Sequence, residues 1–110
     1  MKNDVIELIV VKKTPDKDGF EQETHNKMEC MAEIRSIRST EFYQAAHEGI
    51  TVKIQAVVNV DDYEAAAVRD AETGKKIYPS LVNYDGTEYR IVRDYKPSKL
   101  RVELTLQEVE

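Results

Sequence analysis

The residues with the widest chemical scope in this 110-residue chain are Cys30, His25 and His47. Zinc sites usually show ligands paired a few residues apart, and these three form no such spacing. His25 reads as a strand-surface residue. His47 reads as part of a last helical turn, where a cation meets the helix dipole favourably. A nucleophilic Cys30 would need a lowered pKa and a nearby base. Its neighbours Glu29 and Met31 give no cationic support, so it reads as a small buried core residue. Asp61, Asp62 and Glu64 suggest a cation set, but hard-cation loops hold several oxygens around a glycine turn. Asp70 to Gly74 comes closer, yet its glycine falls one place early for an EF-hand loop and the downstream glutamate is missing. Both groups read better as turn and helix-start residues. No glycine-rich phosphate cradle, nucleophile elbow or H-E-x-x-H run is present. No catalytic, cofactor-binding or metal-ligating residue is assigned, and no enzymatic activity is expected.

The tyrosines (Tyr43, Tyr63, Tyr78, Tyr84, Tyr89 and Tyr95) are the one unusual resource. On strands they could stack nucleic-acid bases, but basic residues are not interleaved with them. Core edges and protein contacts are what strand tyrosines usually supply. The formal charge of −5 argues in the same direction, since gripping phosphate needs a basic surface. Thr14 to Glu33 is more acidic still, with Asp16, Asp18, Glu21, Glu23, Glu29 and Glu33 set against Lys17 and Lys27.

A chain of this length supports one domain, residues 1–110, with a single modest core. Hydrophobic residues at 41% and charged residues at 34% fit a globular protein with a heavily charged surface. No apolar run approaches the roughly 18 residues of a membrane span. Residues 1–4 have no apolar stretch followed by a small-residue cleavage site, so export is not indicated. A lone cysteine cannot form an intramolecular disulfide, which suits a reducing cytoplasm.

The elements that must position these residues are legible from period and turn chemistry. Asp85-Gly86 is the strongest hairpin signal, because a type I′ turn needs positive φ at both central residues. Tyr89, Ile91 and Tyr95 fall on one face after it and Glu88, Arg90 and Asp94 on the other, with Val92 and Arg93 as exceptions. Lys96 to Lys99 turns the chain into a run where Leu100, Val102, Leu104 and Leu106 share a face. Tyr89 and Ile91 should therefore pack beside Val102 and Leu104 in a three-stranded meander. Upstream, Asp4 to Lys13 reads as a strand apolar on both faces, hence central or covered. Thr14 to Gly19 is a turn, and Phe20 to Arg35 a long second strand, giving a hairpin with a protruding acidic tip. Residues 39–48 read as a short helix, with Ser39 or Thr40 as cap and Gly49 as stop. Ile50 to Val60 returns to period two. Residues 64–79 read as a short helix followed by a β-excursion, or as a mobile loop. The fold class is mainly β: a small antiparallel β-barrel or sandwich of five to six strands with the 39–48 helix inserted.

The order of these elements resembles the head-tail joining, or head-closure (stopper), connector proteins of bacteriophages and prophages. The residues that carry the resemblance are the stretch Glu41 to Gly49, the strand end Val60 to Tyr63, and the spacing of Val82, Tyr84, Gly86, Tyr89, Ile91 and Arg93. It covers nearly the whole chain, and 64–79 stands out as an extension. It implies a β-barrel subunit that forms a ring, typically of twelve copies, joining the portal of the DNA-filled capsid to the tail and helping to retain DNA. The implied partners are other copies of the chain, portal and adaptor proteins, tail proteins, and double-stranded DNA that passes without sequence-specific binding. No membrane is involved. The implied location is the virion head-tail junction, with host cytoplasm during assembly. Protruding contact or channel segments are then expected at Asp16, Asp18, Glu21 and Glu23, and at Asp70, Glu72, Lys75 and Lys76. Truncating Ala65 to Lys76 is expected to leave the monomer folded while impairing assembly. The rival readings are a tail-completion (tail terminator) ring protein and an OB-like single-strand nucleic-acid-binding module.

Overall fold

The structure, a computed structural model, describes residues 2–36 and 54–109. Its elements are β1 (Lys2–Pro15), β2 (Glu21–Ser36), β3 (Ile54–Asn59), α1 (Val60–Ala66), β4 (Val68–Arg69), β5 (Lys76–Ile77), β6 (Leu81–Tyr84), β7 (Thr87–Tyr95) and β8 (Arg101–Glu108). The expected helix at 39–48, with Tyr43 and His47, lies outside the described residues, as do residues 50–53 of the expected third strand.

The protein is mainly β, and the choice between sandwich and barrel falls to the barrel. Six strands close antiparallel in the order β1-β2-β3-β8-β7-β6, and β6 returns to β1 through Glu7–Asn83, Leu8–Val82 and Ile9–Leu81. The interior is filled by alternate residues of every strand. Ile6, Leu8, Cys30, Ala32, Ala56, Val58, Val82, Val102, Leu104 and Leu106 are all buried, with Met28, Ile34, Tyr84, Tyr89 and Ile91 packed against them. A barrel of so few strands has room inside only for its own side chains. Any ligand or partner must meet the outside.

The meander is present, and its turn has the expected conformation: Asp85 at φ 52° and Gly86 at φ 78°. Its second strand departs from the sequence pattern. A β-bulge between Ile91 and Arg93 puts two residues opposite one, so Ile91 faces Leu106, Arg93 faces Thr105, and Asp94 faces Leu104. The bulge swaps the two faces beyond it. Tyr95, expected beside Tyr89 and Ile91, is turned outward and 60% exposed. Asp94 takes the inward side and reaches Tyr63. The register also places Leu106, not Val102 or Leu104, directly across from Ile91. Leu100 precedes β8 and is exposed, so it does not share the apolar face with Val102.

The N-terminal hairpin runs without a break from Lys2–Ile34 to Pro15–Glu21. Only part of it belongs to the barrel wall. Among the described residues, β6 meets β1 over Glu7–Ile9 and β3 meets β2 over Ala32–Ser36. The remainder of the hairpin continues past the wall as a two-stranded arm. This accounts for the elongated molecule, 48 × 30 × 25 Å. β1 is apolar on both faces because Ile6, Leu8 and Val10 line the core while Ile9, on the opposite face, is also buried; Val5 is left half exposed.

Between β3 and β6, a short helix is followed by a β-excursion, but the helix starts at Val60, before the expected 64–79 span, and ends the expected third strand at Asn59 instead of Val60. Asn59 caps α1: its Oδ1 accepts from the Asp61 amide at 2.9 Å, and Asp61 and Asp62 occupy the first turn, favourable for the helix dipole. Tyr63 and Ala66 turn inward and join the core. The β4–β5 hairpin follows, joined by Val68–Ile77 and Arg69–Lys76 pairs, and shares a groove with Val11 to Pro15 of β1.

Candidate functional site

Three features stand on the outside of the barrel: the tip of the β1–β2 arm, the β4–β5 turn, and a groove across β2, β3 and β8.

At the arm tip, Asp16 organises the turn. Its Oδ1 accepts from the amides of Asp18 (2.9 Å) and Phe20 (2.8 Å), while its own amide donates to the Phe20 carbonyl at 2.7 Å. Gly19 supplies the positive φ of 84°. Asp16 is therefore committed to holding the loop. Glu23 is likewise engaged, with His25 Nε2 at 2.7 Å. Asp18 and Glu21 remain outward, on either side of Phe20, which is 71% exposed. Sequence reading picked out the acids here and passed over the phenylalanine. An aromatic ring held by a tight turn at the end of an arm is the more informative residue, since apolar contact drives association.

The β4–β5 turn repeats this logic. Asp70 accepts from the Glu72 amide (3.1 Å) and from the Thr73 hydroxyl (3.1 Å), and the Asp70 amide donates to the Lys75 carbonyl at 2.8 Å. Arg69 Nη1 donates to the Gly74 carbonyl. Glu72 and Lys75 are exposed at the tip, whereas Lys76 points back to Glu64 at 3.3 Å. Glu64 is the junction of this region. It accepts from Tyr78 Oη at 2.9 Å and Lys96 Nζ at 3.5 Å as well, joining α1, the segment between β5 and β6, and the β7–β8 turn. The Tyr78 hydroxyl, then the Lys76 amine, hold its carboxyl below the usual carboxylate range. Tyr78 also stacks on Tyr63, ring centroids 5.3 Å apart and nearly parallel. Two tyrosines singled out in sequence thus brace the excursion against the barrel.

The third feature was not anticipated. Outward side chains of β2 and β8 meet over β3 in a charged cluster: Arg35 lies 3.2 Å from Glu33 and 3.4 Å from Glu103, and Arg101 lies 3.7 Å from Glu33. Beneath it Val57 and Gln55 are buried, although they sit on the outer face of β3. Beside the cluster a groove of about 530 Å³ is lined by Met31, Val57, Leu100, Glu33, Arg101 and their neighbours. Met31 is 55% and Leu100 70% exposed, and Val5, directly across from Met31 on β1, is 48% exposed. The sequence signal existed in the alternation of charged residues on the ends of two strands, but it could be read only once β2, β3 and β8 were known to be neighbours.

No protein-family model and no curated protein matches the chain. Its surfaces must speak for themselves.

Cys30 faces the core, and burial, followed by the charge of Asp62, pushes its thiol up to about 11, away from a reactive thiolate. Asp61 and Asp62 lie in the first turn of α1, as helix-start residues do. Among the described residues no group of three or more His, Cys, Asp or Glu is placed to hold a metal ion, and no helix is long and apolar enough to cross a membrane.

Proposed function

We propose that this chain is a structural connector of a virion, a subunit whose copies form a ring between the portal complex of a DNA-filled capsid and the tail and help to retain DNA. The observation that carries the reading is the combination of a filled six-stranded barrel with a two-stranded arm that leaves it. A filled barrel offers no internal binding site, so its working parts are surfaces. An arm that ends in an exposed aromatic ring is useful to a domain that joins neighbours. The element order and the Tyr84 to Arg93 spacing support the reading by resemblance.

The charge supports it as well. A net −5 lets a ring surround double-stranded DNA without gripping phosphates, which passage requires. The partners are further copies of the chain, typically twelve to a ring, together with portal or adaptor proteins on one side and tail proteins on the other. The site of action is the virion, after assembly in host cytoplasm.

Inactivating the gene in the phage or prophage that carries it tests the proposal. Filled heads that leak DNA and completed, unattached tails should accumulate. Normal yields of infectious, DNA-retaining particles would overturn it.

A further inference from the structure

The arm tip and the outer groove lie at opposite ends of the same hairpin. Asn3 and Met31 line the groove near one end, and Asp16 to Phe20 form the tip at the other. From Asn3 to Pro15 the strand advances roughly 40 Å at about 3.3 Å per residue. A tip therefore cannot fold back into the groove of its own chain. Their chemistries match. The tip presents one exposed aromatic ring, flanked in sequence by exposed Asp18 and Glu21. The groove presents Met31, Val57 and Leu100, and at its rim Arg101 is 61% exposed and meets Glu33 only at 3.7 Å, with exposed Lys99 close by in sequence.

The geometry points to a head-to-tail contact in which Phe20 of one copy seats between Met31 and Leu100 of a second copy, with Asp18 and Glu21 facing Arg101 and Lys99. Complementary patches at opposite ends of one molecule make a heterologous interface, which generates rings when the rotation closes and filaments when it does not. A hairpin tip buries less than the roughly 1,200 Å² of a stable pairwise complex. Each contact is thus weak alone, and a ring gains from closing many of them together. The inference deepens the connector reading and rests on its premise of self-association, but it concerns which surfaces meet.

Trapping in trans tests it, because a weak contact is captured by a disulfide even where sizing detects none. Singly substituted F20C and L100C proteins, which retain the buried Cys30, are mixed under mild oxidation, with M31C as a second groove position. F20C mixed with E88C, an exposed position at the far end of the β7–β8 ladder from Leu100, is the control. Heterodimers of F20C with L100C or M31C should form at least tenfold faster than with E88C. Adding R101E to the groove partner should slow trapping several-fold, and adding D18K to the F20C partner should restore it. Equal rates in test and control pairs, or a rate indifferent to R101E, would overturn the contact. A ring seen on portal complexes despite that result would leave the connector reading standing with a different interface. Trapping without any such ring would do the reverse.

Discussion

At the residue scale, the ionisable groups turned inward set how the protein responds to pH. Tyr63 is buried in the core, and burial, then the nearby Asp94 carboxylate, pushes its hydroxyl up to about 12 from an ordinary 10. Cys30 is raised from 9 to about 11 by burial and Asp62. In both cases the folded state holds its proton more tightly than the unfolded state, so the stabilisation is whole below the ordinary pKa and is lost as pH rises through the folded one. Stability should therefore decline from about pH 9 and fall further between about 10 and 12, as followed by thermal melts. Tyr63→Phe should flatten the later part of that descent, and an unchanged profile would remove Tyr63 from the account. Glu64 has the opposite sign: its lowered pKa gives stability that is present above the ordinary carboxylate value of 4.5 and is lost as pH falls below it. Cys30 should also resist a thiol reagent at pH 8 in the native protein and react at once in denaturant. Fast native labelling would show that the barrel opens readily at β2.

At the element scale, turns carry more information than their length suggests. Gly86 sits at φ 78° and nothing lies within 4 Å of where a Cβ would be, so Gly86→Ala meets backbone strain without a clash. The cost should be about 1–2 kcal/mol in denaturant titration; a neutral result would mean the turn relaxes to another type. The β4–β5 excursion calls for a finer cut than removing Ala65 to Lys76, because that span includes Ala66 of the core. The Asp70 and Lys75 backbones already face each other at 2.8 Å, so replacing Ala71 to Gly74 with Asn-Gly should close the hairpin and leave the melt intact. Loss of ring assembly in that variant would assign the tip a contact role, and full assembly would remove it.

The same scale explains what could be read from the sequence. Asp85-Gly86 was legible because few residues tolerate that geometry, and the N-terminal hairpin because Pro15 and Gly19 interrupt two alternating runs. Helix α1 was hidden at its start: Val60 continues the alternation of β3, so the Asn59 cap and the acidic first turn looked like the strand's end. The bulge at Val92 left only two misfit residues as its trace. The groove could not be foreseen at all, since Met31, Val57 and Leu100 come from three separate stretches of chain and share a surface only through the barrel order.

At the scale of the whole molecule, closure and extension are two answers to one problem. Six strands close and so protect their edges, while among the described residues no further strand pairs with the distal part of the β1–β2 hairpin. On the proposed reading, the barrel stabilises the monomer and the arm makes the contacts with a neighbour. The elongated form places acidic tip and groove far apart, which favours a chain of contacts over a symmetric pair. A ring seated below a portal should be visible by electron microscopy of the purified protein mixed with the portal complex of the phage or prophage that encodes it. An added ring of density with the symmetry of the portal is expected, its subunits sized to this barrel and bridged by their arms. Bare portal complexes with the protein left free at saturating concentration would overturn the proposed connector role.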